Sequence, residues 1–523
     1  MIKKLFLIAL LVVVPFQLFA QKNQPNIIVI LADDLGFSDI GAFGSEIKTP
    51  NLDKLAKNGL ILKQFYNAGR CCPSRASLLT GLYSHQAGIG DMVQDKGFPA
   101  YQGYLNEHCI TIGQALKQAG YHTIVSGKWH VGLVPSAWAV NRGFDDSFTL
   151  QNNGSSYFNS EPLYNDGRKV IFLKGNKEII RKDTSTYLTQ EITNFAINSL
   201  EKQRNHQQPF FLYVAYNAPH WPIQALPEDI AKYKGKYLEG WDKLRASRFK
   251  KLKEQGIIDK NWDLSNRFKK VPDWEKLSAE EKDKWDTRMA IYAAMIDRMD
   301  AGIGEILKKV KSLGEEDNTL VLFLSDNGGS ADDVKNWNYV TQKNGTAGSV
   351  ASIDSYESPW GNVSNTPFQL FKKNTHEGGI ASPFIAYYPN HIKAGTVSNR
   401  VSHVIDIFPT CLEFAGFQYP DLFQEKKLIP LEGISLKKEF EGQQSDAHEA
   451  LFWEHEGSKA VRKDQWKAVA ENNQPWELYN LATDRTETKN LAKSEPKLLQ
   501  TLIELHQKWS VKVGVEDWNK IKN

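Results

Sequence analysis

Four times along this chain a short apolar run stops abruptly in a cluster of polar residues. Asn26–Ala32 runs into Asp33-Asp34, and Tyr121–Val125 runs into Ser126-Gly-Lys128-Trp-His130. Phe210–Ala215 leads into Asn217-Ala-Pro-His220, and Thr319–Leu324 into Ser325-Asp326-Asn327-Gly328. Continuous apolar runs of this length suit strands covered on both faces, as in a parallel sheet. Between them lie capped amphipathic patterns, Thr49–Lys57 and Thr111–Ala119, and a longer one over Ala290–Val310 that leads into the fourth run. Alternating strands and helices predict an α/β fold with a mostly parallel sheet flanked by helices. Ligands collect at the carboxyl ends of such strands. The four polar clusters are therefore expected to meet in one site, although Asp33 and Asn327 are far apart in sequence.

Outside this core, Leu238–Arg288 is dense in Lys, Glu and Trp and reads as exposed helices, its aromatic residues serving packing before sugar contact. Asp332–Pro367 is rich in Gly, Ser, Asn and Thr and reads as a long loop, of the kind that is usually functional or disordered. After about Leu431 the pattern changes to short strands, Leu451–Trp453 and Lys467–Val469, and a helix over Glu495–Trp509. We therefore expect a catalytic domain over 25–430 and a smaller C-terminal α+β subdomain over 431–523.

The first twenty residues differ in kind. Lys3 and Lys4 precede the apolar run Leu5–Pro15, and Ala20 closes the segment, which is the layout of a secretory signal over 1–20. The expected product is exported, periplasmic or secreted, with no stable membrane insertion, since no other stretch is long and apolar enough to span. With 64 Lys and Arg against 61 Asp and Glu, the chain has no basic excess to suggest a nucleic-acid partner. Cys71, Cys72, Cys109 and Cys411 remain after export. Adjacent Cys71 and Cys72 suit separate bridges poorly, and no disulfide framework is expected.

Asp33-Asp34 and Asp326-Asn327 are two oxygen-rich pairs at strand ends. Either pair alone could merely cap a turn or helix. Together they place three carboxylates at one point, which raises their pKa values unless a cation is present. An all-oxygen set with one amide suits a hard cation, calcium or magnesium.

The segment Cys71-Cys-Pro-Ser-Arg-Ala-Ser-Leu-Leu-Thr-Gly81 resembles the defining motif of the type I sulfatases, Cys-x-Pro-Ser-Arg followed by a short helix and Thr-Gly. The resemblance extends from Pro25–Asp34 to Trp476–Leu481. It implies an alkaline-phosphatase-like fold, and a Cys71 converted by a formylglycine-generating or radical maturation enzyme to formylglycine, whose hydrate is the nucleophile. It further implies one Ca2+ held by Asp33, Asp34, Asp326, Asn327 and the modified Cys71. Arg75 supports the nucleophile, Lys128 and Lys372 hold the sulfuryl oxygens, His220 protonates the leaving oxygen, and His130 assists release of sulfate. Lys373 adjoins Lys372 and offers the same charge. His455 is a substrate-contact candidate, whereas His122, His391 and His403 read as structural. The resemblance points to a sulfated glycan as substrate. Two rivals stand beside it, a phosphodiesterase or phosphonate hydrolase of the same superfold and a catalytically silent glycan-binding protein.

Overall fold

In the computed structural model, which describes residues 24–522 apart from 153, 205, 207 and 342–344, the four apolar runs are four buried strands of one large sheet. The signal segment 1–20 lies outside the described residues. Asn26–Ala32 is at the centre, parallel to Phe210–Ala215 on one side and to Thr319–Ser325 on the other. His122–Lys128 pairs parallel with Phe210–Ala215 and with Asp146–Leu150. Antiparallel strands complete the sheet, with Phe384–Tyr387 between Thr319–Ser325 and Leu60–Tyr66. The central strands are buried along their whole length, so their continuous apolar composition follows from having a packed layer on each face.

Helices cover both faces. Pro50–Asn58 starts with proline at a position where its missing N–H costs nothing, and Ile112–Gln118 starts with a reciprocal Thr111–Gln114 capping box. The third expected helix is longer than its apolar pattern, running Ala279–Ser312 from a Ser278–Glu281 capping box. Its Tyr292 donates to Asp39 Oδ2 at 2.8 Å, and Arg248 of the helix Trp241–Glu254 donates to Asp39 Oδ1 at 2.7 Å. The turn after the first strand is thereby held from outside the sheet.

The 238–288 segment is less exposed than expected, and its aromatic residues serve packing as expected: Trp241 and Trp274 are buried, and Trp241 packs edge-on against Trp274, Trp285 and Trp360. Apolar faces on an otherwise charged stretch produced this, since the charges alone dominate its mean hydropathy. The 332–367 segment is not loop throughout; it contains the helix Glu357–Ser364, most of which is buried.

Leu451–His455, Ser458–Lys463, Trp466–Ala470 and Glu477–Asn480 form a separate antiparallel sheet, covered by the helix Pro496–Val513. A buried ionic network joins this sheet to the larger one: Lys467 contacts Glu377 at 3.0 Å and Glu487 at 2.8 Å, and Arg485 contacts Glu377 at 2.7 Å. All four cysteines are free. Among the described residues no helix is long and apolar enough to cross a membrane.

Candidate active site

The carboxyl ends of the four parallel strands converge as the sequence predicts. Asp33, Asp34, Asp326 and Asn327 lie together, each at most 1% exposed. Asp34 N donates to Asp326 Oδ1 at 3.2 Å, and Asn327 Nδ2 donates to Asp34 Oδ1 at 2.7 Å. Three cations face the three carboxylates. Lys128 Nζ is 2.6 Å from Asp33 Oδ2, Arg75 donates through Nε and Nη2 to Asp326 Oδ2, and Lys372 Nζ lies 2.7 Å from Asp34 Oδ1. Burial resists ionisation of Asp33, but Lys128, His220 and Arg75 outweigh it and hold the carboxyl well below its ordinary range. Asp326 is pushed the other way, by burial first and by the Asp33 charge second.

Backbone geometry makes these approaches possible. A Cβ on Gly127 would lie 1.9 Å from Ala215 O, so only glycine lets Lys128 leave its strand at this spacing. Asp34 and His130 both adopt left-handed backbone angles, with φ of 64° and 56°. Such conformations cost on the order of 1–3 kcal/mol each and persist where surrounding structure enforces them, as at functional sites.

Cys71 opens the buried helix Cys71–Thr80, and Arg75 one turn later also donates to Lys128 O at 2.7 Å. Cys71, Cys72 and His130 place their sulfur and nitrogen atoms within 4.8 Å of one another. A hydrogen bond from Cys72, with Lys128 and His130 nearby, overcomes burial and holds the Cys71 thiol well below its ordinary range. Both ring nitrogens of His130 lack a protein partner. His220 is oriented differently. Its Nδ1 donates to Trp221 O at 2.6 Å, which leaves Nε2 facing the site, 3.7 Å from Asp34 Oδ2 and without a hydrogen-bond partner.

Next to these groups opens a cleft of about 450 Å³, lined by His130, His220, Lys372, Arg70 and an aromatic wall of Trp221, Trp337 and Tyr339. Arg168 stacks on Tyr164 at 4.0 Å and carries that wall outward. Geometry separates the adjacent lysines. Lys372 is buried against Asp34, whereas Lys373 is half-exposed, 3.9 Å from Asp332 and over the Trp337 ring. His455 does not line the cleft; it is buried in a separate cluster with Asp91 and Glu456. Arg70 and the aromatic wall were not legible as site residues. The only signals were the place of Arg70 beside Cys71 and the length of the 332–367 segment.

The oxygen cluster fits a divalent cation. Asp33 Oδ1 and Asn327 Oδ1 are buried without partners, which is costly unless something outside the protein satisfies them. Asp33, Asp34, Asp326 and Asn327 offer only oxygen, as hard cations prefer, with the His220 ring nitrogen within 4.8 Å of the Asp33 and Asp34 carboxylates.

A parallel sheet with oxygen ligands, a cysteine-headed helix and paired lysines at its carboxyl edge defines a hydrolase for anionic esters. Residues 25–417 match the Sulfatase family, and residues 368–512 match the C-terminal module described as N-sulphoglucosamine sulphohydrolase, C-terminal. The chain belongs to the sulfatase family and is a sulfuric ester hydrolase with an alkaline-phosphatase-like fold. It is 35% identical to an uncharacterized sulfatase of Schizosaccharomyces pombe over 95% of each chain. It is also 35% identical to an arylsulfatase of Klebsiella aerogenes, over 80% of this chain and 92% of that one. Among solved structures, Ps i-CgsB in complex with k-i-k-neocarrahexaose superposes with a TM-score of 0.69 at 28% identity, covering 93% of both chains.

Proposed function

We propose that this sulfatase removes sulfate from carbohydrates, using formylglycine derived from Cys71 and one Ca2+ held by Asp33, Asp34, Asp326, Asn327 and the modified residue. The observation that carries the proposal is the convergence of Cys71, Lys128, His130, His220 and Lys372 on one buried oxygen cluster. The hydrated aldehyde would supply a nucleophile that can later be regenerated, which serine or threonine cannot. Calcium would supply the positive charge that favours ionisation of that nucleophile.

The protein's own groups have separable tasks. Arg75 spans Asp326 and the Lys128 carbonyl, so it fixes the floor on which residue 71 stands. Lys128 and Lys372 are point charges on either side of the cluster, suited to the sulfuryl oxygens where negative charge develops. His220 presents Nε2 alone, because Nδ1 is committed to Trp221 O. A proton carried there can pass to the leaving oxygen, with Asp34 nearby to support the imidazolium. His130, unpartnered beside residue 71, is the nearest base for a proton from that residue.

A carbohydrate substrate is supported by the cleft, whose size falls in the range of about 300–1,000 Å³ usual for small-molecule sites. It is supported also by a relative at 28% identity that was crystallised with k-i-k-neocarrahexaose. Maturation by a formylglycine-generating or radical enzyme, and export through residues 1–20, belong to the same reading. Turnover of 4-nitrophenyl sulfate against 4-nitrophenyl phosphate tests it. We expect sulfate to be preferred by orders of magnitude, and a phosphate preference would transfer the site to phosphoester chemistry.

A further inference from the structure

At the cleft, four charged or titratable residues gather with few of the partners that burial demands. Arg70 is 9% exposed, Asp91 5% and His455 1%. Arg70 Nε and Nη1, Asp91 Oδ1 and both ring nitrogens of His455 have no hydrogen-bond partner in the protein. Glu456 completes the group, with Oε1 3.6 Å from His455 Nε2, and the ligating atoms of Asp91, His455 and Glu456 all lie within 4.8 Å of one another. Arg70 lines the cleft itself, as do Met92, Val93 and Gln94, which directly follow Asp91. Glu456 is the member that reaches solvent, its side chain 33% exposed.

The local backbone argues that the Glu456 carboxylate is kept for a purpose. His455 ends one strand and Ser458 begins the next, so Glu456-Gly457 is the two-residue turn between them. Both have positive φ, 50° and 84°, a turn in which asparagine followed by glycine is the favoured pair. A glutamate there is strained, and the turn would be more stable without it.

The mixture of groups decides what they would bind. Arg70 Nε and Nη1, Asp91 Oδ1 and His455 Nδ1, left unsatisfied in one place, are costly unless a ligand pairs with them. An anion would meet Asp91 and Glu456. A cation would meet the Arg70 guanidinium. A hydroxyl pair has neither difficulty, since each hydroxyl donates and accepts. We propose that Arg70 and Glu456, backed by the buried Asp91 and His455, form a wall that reads the hydroxyls of an uncharged sugar ring, and that its carboxylates reject a second sulfate or a carboxylate on that ring. The inference rests on the sulfatase reading of the adjoining site and narrows its substrate to a singly sulfated, otherwise neutral sugar. Rejection by unpaired like charge is a common route to specificity.

The test compares wild type with Asp91→Asn and Glu456→Gln, both close to isosteric, on monosulfated and disulfated methyl galactosides and on 4-nitrophenyl sulfate. In wild type the best monosulfated sugar should exceed its disulfated counterpart about tenfold in kcat/KM. In each variant the ratio of monosulfated-sugar to 4-nitrophenyl sulfate kcat/KM should fall about tenfold, chiefly through KM, and rejection of the second sulfate should relax. Equal losses on both substrates, or an unchanged ratio, would overturn the proposal. Retention of a second equivalent of transition metal that disappears with Asp91→Asn would overturn it too, by making the cluster a cation site. Saturation-transfer NMR with unsulfated methyl galactoside reads the wall without turnover: binding lost in Glu456→Gln supports it, and binding equal in both proteins refutes it. Absence of turnover on every sulfate ester, with that binding intact, would sink the sulfatase mechanism and leave the wall standing.

Discussion

Replacing Lys467 by methionine removes the ammonium group that joins the second sheet to the catalytic half. Lys467 is fully buried, between Glu377 at 3.0 Å and Glu487 at 2.8 Å. Glu377 lies in the His376–Gly379 segment that follows Lys372, so the network reaches the site within a few residues. At a separation of about 3 Å and an effective dielectric of about 20, each contact is worth roughly 5 kcal/mol, most of it offset by the cost of burying the charges. Truncating one member of such a set typically costs about 3–5 kcal/mol.

The carboxylate gives an independent figure. Burial resists its ionisation, but Lys467 first, then Arg485 and Arg462, hold the Glu377 pKa at about 2 against an ordinary 4.5. Glu487 is pushed the other way by burial, although Lys467 opposes it. At about 1.4 kcal/mol per unit the depression corresponds to roughly 3 kcal/mol. Because the folded-state pKa is lowered, this stability is present above the unfolded value and is lost as pH falls through the folded one. In the variant Glu377 keeps Arg485, but Glu487 loses Lys467, and a buried carboxylate left in that way has a raised pKa and loses stability as pH rises. Urea unfolding should therefore show Lys467→Met destabilised by about 3–5 kcal/mol at pH 7.5, with much of the deficit gone near pH 4.5. The double variant Lys467→Met/Glu487→Gln should recover part of the loss at pH 7.5. A deficit below about 1 kcal/mol, or one equal at both pH values, would refute this account of the network.

Two further outcomes follow from the site. His220→Ala should lower kcat on a sulfated sugar by about 10²–10⁴, the usual range for a general acid, and far less on 4-nitrophenyl sulfate, whose leaving group departs without a proton. Equal losses on the two substrates would remove His220 from that role. Treatment with EGTA should abolish turnover and calcium should restore it, whereas Asp33→Asn should weaken calcium retention measured by mass spectrometry of the metal; full activity after chelation would contradict the cation assignment.

How much of this was legible depended on whether a residue's chemistry was tied to a strand end. Asp33, Asp34, Asp326 and Asn327 follow buried apolar runs directly, so the sheet that orders those runs also orders the polar atoms behind them. Lys128, His130 and His220 were readable for the same reason. Lys372 lies in a loop, and in the sequence only its spacing to His376 favoured it over Lys373; packing against Asp34 separates them in the structure. The aromatic wall and the cluster of Arg70, Asp91 and Glu456 join segments with no shared periodicity, and nothing local announces such a meeting. The 238–288 segment reads as exposed because its charges dominate, yet a strongly charged stretch can still present one apolar face to a core, and Trp241 and Trp274 pack there.

The central claim is that Cys71 is converted to the aldehyde on which the whole arrangement depends. The most direct measurement is the mass of the proteolytic peptide that carries it, from protein produced beside a maturation enzyme. Formylglycine in place of cysteine lowers that mass by about 18 Da. The account predicts this shift at residue 71, in proportion to the sulfatase activity of the preparation. An unmodified thiol at Cys71 in protein that nevertheless hydrolyses sulfate esters would contradict it.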